Sequence, residues 1–132
     1  MPATASQWAA GLDVRAKLDK AVQLAPFSTR LIPTGLFVAV PNGFVLHVTP
    51  RSGLALKEGI TVFNSPGQVD ADYRGEVGVI LYNGSPLVRT IEPEQRIAQI
   101  SLQAVCPIEW VEVEQLEETT RGAGGFGSTG KQ

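Results

Sequence analysis

The segment Asn64-Ser-Pro-Gly-Gln-Val-Asp-Ala-Asp-Tyr-Arg-Gly-Glu76 crowds two carboxylates, a phenol and a guanidinium into five positions. They stand just behind the turn formers Asn64, Pro66 and Gly67. Side chains alternate faces in an extended chain, so Asp70 and Asp72 are expected to share one side and Tyr73 to take the other. Two acids on one face beside a turn suit general acid/base work or a metal. The same composition also suits an ordinary polar hairpin tip, and spacing by itself leaves both readings open. Gly78 follows inside a strand-like pattern, where a missing side chain signals a close approach to the backbone.

The glycine-rich end, Arg121-Gly-Ala-Gly-Gly-Phe-Gly-Ser-Thr-Gly-Lys-Gln132, is the second informative stretch. Its Gly125-to-Lys131 portion has the GxxxxGK spacing of a phosphate loop. Gln132 stands where Ser or Thr is needed, however, and no helix follows, so a P-loop nucleotidase is not expected. What remains is a set of donors for a polyphosphate, namely glycine amides, Ser128, Thr129, Arg121 and Lys131. Phe126 is a lone aromatic fit to stack on a base. With so little to bury, the tail is expected to be mobile when empty. Stretched from Thr119 to Gln132 it reaches roughly 45 Å at ~3.3 Å per residue, enough to cross a small domain.

Three shorter pieces carry weaker signals. Pro50-Arg51-Ser52-Gly53-Leu54-Ala55 reads as a polar turn with a cation, a hydroxyl and a glycine. Ala10-Gly11-Leu12-Asp13-Val14 sets one acid beside a glycine, and Arg96-Ile-Ala-Gln99 places two polar groups in an otherwise apolar strand.

The elements that must position these residues read as short strands. A chain of 132 residues with 43% hydrophobic content is one domain with a real core. No apolar 3.6 period holds for three turns, and Gly11 interrupts the nearest candidate, Gln7 to Lys17. Strands are expected at Leu36–Val40 and Phe44–Val48 as a hairpin about Pro41-Asn42-Gly43, and at Gly59–Phe63. Further strands are expected at Glu76–Tyr82, Leu87–Ile91 after an Asn83-Gly84 turn, Arg96–Val105 and Ile108–Val113. The expected fold class is therefore all-β, a barrel or sandwich of short strands over residues 1–117, with the glycine-rich tail at 118–132.

Net charge is −2, which argues against a nucleic acid polymer as partner. No run is long and apolar enough to span a membrane, and Met1 to Trp8 does not read as a secretory leader. One cysteine, Cys106, excludes an internal disulfide and suits a reducing, cytoplasmic setting. His47, the only histidine, lies in an alternating run and reads as a strand residue rather than a zinc ligand.

In this order the five pieces resemble the motifs of the homotrimeric dUTP pyrophosphatase (dUTPase) family, from about Ala10 to Gly130. Ala10–Ala16 resembles the first motif, Pro50–Ala55 the second, Asn64–Glu76 the third, Arg96–Gln99 the fourth and Arg121–Gly130 the fifth. One departure is visible: Pro93-Glu94-Gln95-Arg96 stands where the family usually has Pro-Gly-acid-Arg, which bears on turn geometry.

The resemblance implies a jelly-roll-like β-barrel, a homotrimer with shared sites, and Mg²⁺-dependent hydrolysis of dUTP to dUMP and pyrophosphate. It makes Asp70 the group that activates water for attack on the α-phosphate. Tyr73 would pack on the deoxyribose and exclude a 2′-hydroxyl, and Asn64, Gln68, Val69 and Gly78 would enclose uracil. Arg51, Ser52, Gly53 and Gln99 would hold the phosphates, and Asp13 would hold Mg²⁺ through its waters. The tail would close with Arg121, Gly127, Ser128 and Thr129 on the phosphates and Phe126 on the base. Asp72 and Arg74 read as a turn acid and a rim charge. A sister dCTP deaminase and a nucleotide-gated regulatory module of the same fold are the alternatives. The first would need an acid placed for attack at pyrimidine C4, and none is evident.

Overall fold

A computed structural model of the chain describes residues 1–4 and 6–125. Its strands are β1 (Ala3–Thr4), β2 (Leu12–Arg15), β3 (Val22–Leu24), β4 (Thr29–Ile32), β5 (Phe44–Thr49), β6 (Ile60–Val62), β7 (Gly67–Val69), β8 (Val79–Asn83), β9 (Arg89–Ile91) and β10 (Arg96–Ala104). One helix, α1 (Ser52–Glu58), lies between β5 and β6. All pairings are antiparallel. They form a five-stranded sheet in the order β1-β2-β10-β5-β7, a three-stranded sheet β4-β8-β6 and a two-stranded sheet β3-β9. The fold is all-β.

Alternation along the strands builds the interior. Val77, Val79 and Leu81 turn inward together, as their spacing predicts, and are buried. Val14 of β2, Leu24 of β3, Ile32 of β4, Val48 of β5, Ile60 of β6, Val69 of β7, Ile91 of β9 and Ile100 of β10 join them in one apolar cluster. Every sheet thus contributes its inner face to one core, which is what closes short, individually weak sheets around each other.

β10 breaks alternation once. Ile97 and Ala98 are both buried because a bulge between Arg96 and Ala98 inserts an extra residue against β2. Such a bulge bends the strand and re-aims its end; here it leaves Arg96 outside and pointing across to β2.

Several expected elements differ. Leu36–Val40 is not a strand but a loop touching the sheet by one bridge, Phe37 to Glu76. The turn before β5 does form, closed by the Phe44 amide donating to the Pro41 carbonyl at 3.1 Å with Gly43 at φ +81. Pro50–Ala55, read as a turn, opens α1 instead. Leu54, Ala55, Leu56 and Lys57 are good helix formers, and Gly59 stops the helix in the left-handed conformation at φ 70. Seven residues are too few to show a helical period. Ile108–Val113 has no strand structure among the described residues and is exposed, with Trp110 at 89% and Val111 at 76% relative exposure. The last strand ends at Ala104, and the arm that follows packs on nothing within its own chain's core.

Asn83 is more than the turn former it resembles. It is fully buried, and its side-chain amide donates to the carbonyls of Leu24, Ala25 and Leu87 while its Oδ1 accepts from the Ser85 amide and hydroxyl. The β3–β4 and β8–β9 connections are thereby tied together at one end of the barrel. Asn83→Ala orphans these buried groups and is expected to lower unfolding stability by ~2–4 kcal/mol, read from the urea midpoint at unchanged slope.

Candidate active site

The residues that the resemblance assigns to uracil and to water activation line two adjoining clefts. Gln68, Val69, Asp70, Tyr73, Glu76, Val77 and Gly78 line a cleft of ≈ 180 Å³. An adjoining cleft of ≈ 50 Å³ shares Gln68, Val69 and Gly78 and adds Asn64, Gly67 and inner-face apolar residues. β7 supplies Gln68 and Val69, the turn between β6 and β7 supplies Asn64, and the loop after β7 carries Asp70 and Tyr73. Asn64 Nδ2 lies 3.3 Å from where a Cβ on Gly67 would be, so that glycine lets the turn close tightly.

The face-sharing expected of Asp70 and Asp72 is not realised. Ala71 and Asp72 form a turn in which the Tyr73 amide donates to the Asp70 carbonyl at 3.2 Å. A turn cancels the two-residue alternation of an extended chain. Asp70 lines the cleft while Asp72 does not, and among the described residues Arg74 bonds to the carbonyls of Ala71 and Tyr73. Tyr73 folds back so that its hydroxyl donates to the Glu76 carbonyl at 2.9 Å. Its ring occupies the space a side chain at position 75 would need, so Gly75 is required by the tyrosine. At Gly78 the close neighbour is the Leu31 side chain, 2.7 Å from a built Cβ.

A second cluster forms on the other side of β10. Asp13 on β2 accepts from Arg51 Nε at Oδ1 and from the Arg96 guanidinium at Oδ2, both at 2.9 Å. Arg51 also donates to the Arg96 carbonyl at 3.2 Å. Gln99 is the register partner of both Asp13 and Thr49, which sets it beside this group. Ser52 and Gly53 are the first helical residues after Arg51, where backbone amides lack intrahelical partners. A cleft of ≈ 330 Å³ lined by Arg51, Gly53, Lys57, Gln95 and Arg96 adjoins them. Arg96 was read from sequence only as part of a strand motif; its contact with Asp13 spans 83 positions, which no local pattern announces.

Among the described residues no three His, Cys, Asp or Glu side chains gather as a metal cage. One carboxylate is nevertheless a fitting donor set for Mg²⁺, which keeps several waters and takes other ligands from substrate phosphates. Asp13 has lone pairs left on both oxygens for such waters.

Arg121 lies in a local turn, donating to the Gly124 carbonyl at 2.7 Å, and is not brought to either cluster. Phe126, Gly127, Ser128 and Thr129 lie outside the described residues.

The two clusters do not meet. From β2 to β7 are three strand spacings, ~14 Å. By register Asp13 stands level with Gln99, whereas Val69 stands level with Leu46 and Leu102, so Asp70 lies about four residues, ~13 Å, further along. A triphosphate is much shorter than that diagonal.

The family and its relatives fit this arrangement. A family model described as dUTPase matches residues 1–130. A deoxyuridine 5′-triphosphate nucleotidohydrolase of Fusobacterium nucleatum is 50% identical over 131 residues, covering 99% of this chain and 90% of that protein. One of Desulfotalea psychrophila is 52% identical over 130 residues, covering 98% and 87%. Among solved structures, the Staphylococcus bacteriophage 80alpha dUTPase with dUpNHpp superposes with a TM-score of 0.82 at 26% identity, covering 99% of this chain and 92% of that one. These likenesses define an all-β nucleotide hydrolase fold. The chain belongs to the dUTPase family.

The departure before Arg96 has a structural price. Glu94 adopts φ 60, the left-handed region in which a side chain crowds its own backbone. Its amide donates to the Ala16 carbonyl at 2.9 Å and its carbonyl accepts from Arg15 at 2.6 Å, while Gln95 Oε1 receives the Glu92 amide. The turn keeps the geometry glycine would take freely. Glu94→Gly is expected to stabilise the chain by ~0.5–1 kcal/mol, seen as a thermal midpoint ~2–4 °C higher.

Proposed function

We propose that the chain is a dUTP pyrophosphatase that hydrolyses dUTP to dUMP and pyrophosphate, lowering dUTP and supplying dUMP. The observation that carries this is the joint lining of one cleft by Asn64, Gln68, Val69, Asp70, Tyr73 and Gly78, in a chain half identical to named dUTP nucleotidohydrolases. No relative reported above is named a deaminase, and no acid beyond Asp70 and Glu76 lines the pocket.

In this reading Asp70 accepts a proton from a water whose oxygen bonds to the α-phosphorus. The bond from that phosphorus to the bridging oxygen breaks, and pyrophosphate leaves. Tyr73, held over Gly75, closes the sugar side against a 2′-hydroxyl. Backbone around Gln68, Val69 and Gly78, with Asn64, offers donors and acceptors to uracil's edge, and the narrow cleft leaves little space for a 5-methyl group. Arg51, Ser52, Gly53 and Gln99 hold the β- and γ-phosphates, and Arg96 braces Asp13. Asp13 would hold Mg²⁺ through water; bound there, the ion offsets charge on the triphosphate and the departing pyrophosphate. Arg121, Phe126, Gly127, Ser128 and Thr129 cover the nucleotide, in a tail segment at 118–132 distinct from the barrel at 1–117.

The separation of the two clusters supports a site completed between copies. Asp70 and Tyr73 of one chain would face Asp13, Arg51 and Gln99 of another. The exposed apolar arm bearing Ile108, Trp110 and Val111 supplies surface for such an assembly, and the motif resemblance implies that it is a homotrimer. No described helix is long and apolar enough to cross a membrane. The single free cysteine, Cys106, supports a cytoplasmic setting.

The test is pyrophosphate release with Mg²⁺ from dUTP, dCTP, dTTP and UTP. The expected result is strong preference for dUTP, loss on chelation, and a fall in kcat of ~10²–10⁴-fold in Asp70→Asn with nucleotide affinity little changed. Comparable turnover of all four nucleotides, or an undiminished Asp70→Asn, refutes the assignment.

A further inference from the structure

The loop from Asp70 to Gly75 carries both the proposed base and the sugar gate, yet it belongs to no strand and is largely exposed. Its internal bonds are short-range: Tyr73 amide to Asp70 carbonyl, Arg74 to two neighbouring carbonyls, and the tyrosine hydroxyl to the Glu76 carbonyl. None of these fixes the loop to the barrel. Glu76 does. Its Oε1 accepts from the backbone amides of Thr34 at 3.0 Å and Gly35 at 2.7 Å, contacts spanning more than forty positions. Next to it the Thr34 hydroxyl donates to the Val77 carbonyl, and the Val77 amide donates to the Leu36 carbonyl at 2.8 Å.

We infer that Glu76 is a positioning residue for sugar discrimination: its carboxylate clasps the Thr34–Gly35 turn and thereby fixes the carbonyl on which the Tyr73 hydroxyl rests. The phenol is held at one end by that carbonyl and accommodated beneath by Gly75. Two charge-assisted bonds to rigid backbone hold Glu76 more firmly than either neutral bond would. The turn they grip is itself anchored, because the Lys17 amide donates to the Pro33 carbonyl at 2.8 Å and Gly35 takes φ 67 against the Lys17 side chain. Lys17 lies two residues past the end of β2. The gate is therefore referenced to the strand that carries Asp13, and without the clasp Tyr73 can yield to a 2′-hydroxyl.

This inference rests on the dUTP reading above, and the test separates the two. The ratio of kcat/KM for dUTP over UTP is measured in wild type, Glu76→Gln and Glu76→Ala. Glutamine keeps an Oε1 acceptor for both amides and is expected to hold the ratio within about threefold, while alanine lowers it about tenfold or more, mainly by admitting UTP. A second readout needs no turnover. Hydrogen exchange at the Thr34 and Gly35 amides should quicken at least about tenfold in Glu76→Ala and little in Glu76→Gln. Should alanine fail to fold, Glu76→Asp, one methylene too short, takes its place with an intermediate loss expected. A wild type without preference for dUTP overturns the functional reading itself. An intact preference that survives in Glu76→Ala, or falls equally in Glu76→Gln, overturns the role of Glu76 alone.

Discussion

Strand β10 is the constraint to which the rest of this molecule is referred. It is the longest strand, and it bonds β2 along one edge and β5 along the other. Its register sets Gln99 opposite both Asp13 and Thr49, and its bulge turns Arg96 onto Asp13. β5 in turn fixes β7, from which the Asp70 loop departs. Two groups of candidate site residues are thus placed by reference to one strand. Hydrogen-bonded sheets do not compress, so the distance between these groups is as fixed as the strand spacing.

Each group is braced differently. Asp13, Arg51 and Arg96 brace one another, with the acid largely buried between two guanidiniums. A carboxylate between two cations has a stable orientation, and both cations stay fixed for an incoming polyanion. The Asp70–Tyr73 loop has no such mutual support and borrows rigidity from the Pro33–Gly35 turn through Glu76. That turn also receives the Lys17 amide just beyond β2, so the two groups share one piece of backbone although they do not touch.

How much of this the sequence discloses depends on the range of the interaction. Val77, Val79 and Leu81 announce their buried face because period-two alternation is local. The residues around one cleft, Asn64 through Gly78, are near neighbours in the chain and were legible together. α1 is not legible in the sequence because seven residues cannot display a helical period. Ile108–Val113 has strand-like composition, but no described strand of its own chain pairs with it. Arg96 on Asp13, Asn83 on the Leu24 and Ala25 carbonyls and Glu76 on the Thr34 and Gly35 amides are long-range polar contacts, invisible to any window reading. Asp70 and Asp72 do not share a face because the chain turns at Ala71–Asp72, which cancels the alternation of an extended strand.

The central claim is that a working site joins Asp70 from one chain to Arg51 from another, and mixing inactive chains tests it directly. Asp70→Asn and Arg51→Ala are each prepared, then combined in equal amounts under conditions that exchange subunits. If copies assort at random and each site draws on two neighbours, a quarter of sites regain both residues, and dUTP hydrolysis should rise to about one quarter of wild type. If activity stays at the sum of the two separate variants while exchange is complete, both residues serve one site within one chain, and the account is wrong.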